Sequence, residues 1–178
     1  MKKLVLAIFL SFMVCSTCNI WAQSTVIDKN NNTVLSFLEN TNTHHTFLKI
    51  VNATGLYDML SKNGPFTILA PTDAAFKKIN AGTLETLFLR ENQDKLKSVI
   101  TYHIIPGNVN TASISKAIFN NNGEANFKTL NGATITVFIR EGILVFEGPK
   151  GGESLIESPD KQQSNGYVHS VDTLILPN

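Results

Sequence analysis

Histidine is the side chain best suited to proton chemistry near neutral pH, and this chain of 178 residues has four. His103 follows Tyr102, His169 stands shortly before Asp172, and His44 and His45 are adjacent. Hydrolysis by a Ser-His-Asp set needs a nucleophile held against its base. No G-x-S-x-G elbow is present, and no serine is singled out by its context, so no catalytic residue is expected. Neighbouring residues on a helix point about 100° apart, so His44 and His45 would rarely share one ion. No HxH, HxxxH or cysteine-pair spacing supports them, and neither a metal nor a cofactor is expected. Gly148 to Ser154 is glycine-rich but lacks the G-K-[ST] of a phosphate loop.

The elements around these residues suggest other uses for them. The stretch 101–105 reads as a strand, which puts Tyr102 and Ile104 on one face and His103 and Ile105 on the other. Two readings follow for His103: recognition at a surface, or an imidazole hydrogen-bonded inside the fold. Its apolar neighbours favour burial. His169, with Val171 on its face, invites the same reading, and Asp172 is placed to take backbone donors.

A third stretch organises the rest, Gly64 to Ile79. Gly64-Pro65 signals a turn, and Phe66 to Ala70 is an apolar run of strand length. Pro71 lacks a backbone donor and biases Ala70 towards extended geometry. Thr72 is then placed to cap a helix, Asp73 suits the positive end of its dipole, and Ala75, Phe76 and Ile79 supply an apolar face.

Before this stretch, short helices are expected over 33–39 and in two pieces broken near Gly55. After it, helices are expected over 83–88, capped by Thr83, then over 92–100 and 113–119. From Phe127 the period changes to two. Strands are predicted over 127–130, 133–140 and 143–147, with a two-residue hairpin at Asn131-Gly132. An edge strand over 155–158 should end at Pro159, and a closing strand is predicted over 167–176. Helices first and strands second argue for an α+β fold.

The first 22 residues read as a signal peptide: Lys2-Lys3, an apolar run over Leu4 to Val14, and a small-residue segment to Ala22. The run is short for a membrane span, which needs about 20 apolar residues, so a retained anchor is the weaker alternative. Lipidation at Cys15 or Cys18 is disfavoured because Val14 and Thr17 precede them. Membrane association is expected only if that lipidation occurs. Cleavage would leave residues 23–178, without cysteine or tryptophan, and with 13 basic residues against 14 acidic ones. That balance excludes disulfide and thiol chemistry and points away from nucleic acid. Without tryptophan, a dedicated sugar platform is also weakened. Residues 23–32 are polar and asparagine-rich and read as a tether, and 33–178 as one domain. The chain stops at Pro177-Asn178, which is expected to leave no room for a C-terminal anchor.

Three segments, in order, resemble the fasciclin domain family. The first is Thr67-Ile68-Leu69-Ala70-Pro71-Thr72-Asp73-Ala74-Ala75-Phe76, with Leu69 where the family usually has Phe. The second is Tyr102-His103-Ile104-Ile105-Pro106-Gly107. The third is Asn165-Gly166-Tyr167-Val168-His169-Ser170-Val171-Asp172, followed by Leu174-Ile175-Leu176-Pro177. Thr129-Leu130-Asn131-Gly132 matches a further family pattern. The resemblance covers about residues 33–177.

It implies a wedge of two β-sheets with helices clustered at one side, and the three segments are expected to meet in the core. Pro71, Thr72, Asp73, Phe76, His169 and Asp172 then read as structural motif residues. It also implies an extracellular role in adhesion or matrix binding, without catalysis. The partner would be a surface or matrix component, protein or polysaccharide. In animal members the Tyr-His segment is linked to receptor binding, which makes Tyr102 and His103 the candidate binding region. A periplasmic binder of small ligands or polysaccharides is the alternative. The implied location is secreted, periplasmic or at the cell surface. If the leader reading is right, mass spectrometry of the exported protein will find an N-terminus at Gln23; any other start overturns it.

Overall fold

The computed structural model describes residues 32–177. The segment read as a signal peptide, nearly all of the stretch read as a tether, and both cysteines lie outside these residues.

The chain begins with three short helices, α1 (Val34–Glu39), α2 (His45–Ala53) and α3 (Tyr57–Lys62). Strand β1 (Phe66–Pro71) follows, then α4 (Asp73–Lys77), α5 (Ala81–Leu87), a 3-10 turn (Arg90–Asn92) and α6 (Gln93–Tyr102). After β2 (Ile104–Pro106) and α7 (Thr111–Asn120), five strands complete the domain: β3 (Glu124–Lys128), β4 (Thr134–Arg140), β5 (Ile143–Glu147), β6 (Glu153–Gln163) and β7 (Gly166–Val171). The seven strands run in the order β2-β1-β7-β6-β5-β4-β3. The eleven-residue β6 pairs with both β5 and β7, so it joins the two halves of an α+β wedge. The ends of the order nearly close on each other, because Leu130 N–H donates to the Ile104 carbonyl at 2.7 Å.

Every residue of β1 is buried, as a strand covered on both faces must be. Phe66, Ile68 and Ala70 face a core built with α1, α2, α3 and α6, while Leu69 faces a second core with Tyr102, Ile135, Val137 and Phe146. β1 also joins the three motif segments. It runs parallel to β7, from Phe66 opposite Gly166 to Pro71 opposite Val171, and antiparallel to β2. Thr72 caps α4 by accepting from Ala75 N–H at 3.2 Å.

Several boundaries differ from the sequence reading. Residues 101–105 are not one strand: α6 continues to Tyr102, His103 caps it, and β2 is short. Burial of Leu96, Val99 and Ile100 on one helical face overrides the strand preference of the following residues. Asn80, not Thr83, caps α5, its side-chain oxygen accepting from Gly82 N–H. The β3–β4 connection spans Thr129 to Ala133 rather than two residues, because Asn131 Oδ1 accepts from both the Thr129 hydroxyl and Ala133 N–H. The strand predicted to end at Pro159 runs through it and is internal. Register shifts between Ile156 and Lys161 spare Pro159 a ladder donor. The last strand stops at Val171, and residues 172–177 turn back towards α6.

The β1–β7 pairing depends on Gly166. A Cβ there would lie 1.7 Å from the Phe66 carbonyl oxygen, at φ +146°. Gly166→Ala should therefore cost more than about 4 kcal/mol. Gly142→Ala, at φ +79° in open space, should cost about 1–2 kcal/mol. Thermal unfolding followed by circular dichroism compares the two directly, and equal costs would refute the close-packing argument.

Candidate functional site

The candidate side chains are held by the elements around β1. His103 is the C-cap of α6 and fully buried. Its Nδ1–H donates to the Val99 carbonyl at 2.8 Å, and its Nε2 accepts from Ile175 N–H at 3.1 Å. One partner can only accept and the other only donate, so the ring is neutral with its proton on Nδ1. Burial pushes its pKa down to about 4, against the opposing pull of the Val99 carbonyl. Tyr102 is also fully buried, and its hydroxyl donates to the Thr134 carbonyl at 2.9 Å. Burial raises that phenol to about 12. The alternation inferred for a strand over 101–105 does not apply, and neither side chain offers an atom to the surface in this fold.

His169 repeats the arrangement at the other end of the wedge. It is fully buried on β7, donating from Nε2–H to the Val109 carbonyl at 2.8 Å and accepting at Nδ1 from Asp160 N–H at 3.0 Å. Burial lowers its pKa, and the carboxylate of Asp160 opposes the shift. That carboxylate also holds the N-terminus of α7 through Thr111. The backbone donor displaced by the irregular ladder near Pro159 thus finds its partner in a histidine.

The two acidic motif residues work across elements. Asp73 opens α4, but its carboxylate receives Thr46 N–H at 2.8 Å and His45 N–H at 3.3 Å, at the start of α2. His44 makes no side-chain cap for α2, so Asp73 supplies one from another helix. Burial raises the pKa of Asp73, but these donors and the His45 ring outweigh it and hold the group at about 2. Asp172 accepts from Leu155 N–H at 2.7 Å and pairs with Lys78 at 2.8 Å. Burial opposes ionisation there as well; the Lys78 ammonium and Leu155 N–H overcome it and lower the pKa. Phe76 and Pro71 are buried beside them.

His44 is buried against the hydroxyls of Thr41 and Thr43, whereas His45 is exposed beside Asp73. The adjacent pair thus serves separate surroundings. No group of three His, Cys, Asp or Glu side chains able to hold a metal occurs among the described residues. An open groove of about 550 Å³ lies over His45, Thr46, Asp73 and Lys77, with Phe76 and Leu84 in its apolar wall.

Sequence reasoning named Asn165 only as the first residue of the third family segment. Its side chain accepts from Val34 N–H at 2.8 Å and donates to the carbonyls of Leu60 and Asn63 at 2.8 and 2.9 Å. Its own carbonyl takes Phe66 N–H. No local signal could reveal this, since the partners lie more than a hundred positions away.

Residues 42–177 match the fasciclin domain, and the chain belongs to that family. It is 35% identical to Protein sll1483 of Synechocystis sp. over 145 residues, covering 82% of this chain and 73% of that one. It is 29% identical to the transforming growth factor-beta-induced protein ig-h3 of Sus scrofa, covering 86% of this chain but 20% of the relative. Its fold superposes, with a TM-score of 0.71 at 21% identity, on a FAS1 domain pair from the insect cell adhesion molecule fasciclin I. That match covers 82% of this chain and 51% of the other.

Three histidines, His44, His103 and His169, are buried in the fold, and burial lowers the pKa of each below the ordinary 6.5. The unfolded chain takes up protons first as pH falls, so stability is present above 6.5 and drains away towards pH 4. His103 alone should contribute a loss of about 3 kcal/mol across that window. Urea unfolding at pH 7.5, 5.5 and 4.5 measures the slope. His103→Gln should be less stable at pH 7.5 yet less pH-sensitive; an unchanged slope would exclude His103 as its source.

Proposed function

We propose that this chain is an exported, non-catalytic binding domain that acts in adhesion or in association with a matrix or surface component, protein or polysaccharide. One observation carries the reading. The side chains with most chemical potential, Tyr102, His103 and His169, are buried and bonded to backbone groups, which leaves the outer surface to do the recognising. The likeness of the fold to domains of an insect cell adhesion molecule supports the adhesive direction. On this reading Tyr102 and His103 shape the surface from beneath rather than touch the partner. The reading of residues 1–22 as a leader supports a location outside the cytoplasm, in the periplasm, at the surface or secreted.

A second reading, a binder of small ligands or polysaccharides, is favoured by the groove over His45, Thr46, Asp73 and Lys77, where polar groups converge on an apolar wall. A pull-down from the cell envelope and surrounding matrix, run beside a glycan array with residues 23–178, separates the two. The adhesive reading expects a retained macromolecule whose capture is unchanged by His45→Ala. Capture of a glycan that His45→Ala abolishes would move the site into the groove, and retention of neither would overturn both.

A further inference from the structure

We infer that a second groove, between α6 and the C-terminal segment, is a binding site for a single-chain aliphatic carboxylate. It is a cleft of about 350 Å³. Val99 and Ser98 of α6 form one wall, and Leu176 and Pro177 form the other. Leu87, at the end of α5, adds to the apolar lining. Lys95 and Lys150 enter from two different elements, α6 and the glycine-rich β5–β6 loop. No carboxylate is among the lining residues.

The composition of the cleft selects the ligand. Leu87, Val99, Leu176 and Pro177 suit an apolar body, and two lysines with no carboxylate among the lining residues suit an anionic head. Leu176 is 42% exposed, and an alkyl chain in the cleft would cover it. The volume lies near the lower end for ligand pockets, which fits one chain and not a two-chain lipid or a polysaccharide. The groove over His45 and Asp73 contains a carboxylate in its lining and lacks this charge pattern.

His103 gives the cleft a fixed shape. Its ring bonds the Val99 carbonyl on one side and Ile175 N–H on the other, so one buried side chain ties both walls together from below. The site needs no macromolecular partner, and it stands whether or not the adhesive reading holds.

Isothermal titration of residues 23–178 with hexanoate, octanoate and decanoate, below micelle-forming concentrations at pH 7.5, tests the proposal. Saturable one-to-one binding is expected, with affinity rising about fourfold per added methylene. Decanol should bind at least about tenfold more weakly than decanoate, from loss of the charge interaction. Lys95→Glu with Lys150→Glu should weaken decanoate by about the same factor and leave decanol unchanged. Leu176→Ser, a change at a half-exposed position, should weaken both. Chemical-shift changes centred on Val99 and Leu176 in the unsubstituted protein provide a readout that needs no variant. Any of three results would overturn the proposal: no saturable binding at millimolar decanoate, equal binding of decyltrimethylammonium, or shifts confined to another surface. Binding to phosphatidylglycerol vesicles without binding to decanoate would also overturn it, in favour of a lipid surface.

Discussion

The close approach of Gly166 to the Phe66 carbonyl is the constraint on which the rest of this domain depends. It lets β1 and β7 lie parallel along their whole length, and β1 is the strand that separates the two cores. A parallel pair needs a long connection, and here nearly a hundred residues intervene. Those residues supply α4 to α7 and the antiparallel strands of the second half. Asn165, one position earlier, fastens the pair to the start of α1 and the end of α3. The Asn165-Gly166 dipeptide thus ties the first helices to the β1–β7 pair.

The histidines follow from the same geometry. Where β2 leaves α6 and where β6 loses its regular ladder, backbone groups are left without their ordinary partners. An unpaired buried backbone group costs about 1–3 kcal/mol, and a neutral imidazole can satisfy a donor and an acceptor at once. His103 and His169 do this at the two sites. Side chains suited to proton chemistry are thus engaged by backbone groups. Burial lowers the pKa of both rings, so the same residues are expected to weaken the fold as pH falls.

Much of the fold was legible in the residues. Pro71-Thr72-Asp73 marked the stop of β1 and the capped start of α4, because prolines and caps act within three or four positions. The burial favoured for His103 could be read from its apolar neighbours, although the strand argument behind it was mistaken. The trans-capping of α2 by Asp73 and the passage of β6 through Pro159 could not be read. The first joins residues 27 positions apart, and the second depends on which ladder positions a bulge leaves without donors. The apolar cleft was also hidden, since Leu87, Val99, Lys150 and Leu176 share no local pattern.

The sequence by itself determined the α+β class, the order of the elements and the three segments that carry the family resemblance, because local propensity and periodicity act over a few neighbouring residues. Only the tertiary structure decided which groups face solvent and which face one another. Tyr102 and His103, for which recognition and burial were both open, lie in the interior, and Lys95 and Lys150 line one cleft. Burial and long-range hydrogen bonding are properties of positions brought together by the whole fold, and no window of the chain contains them.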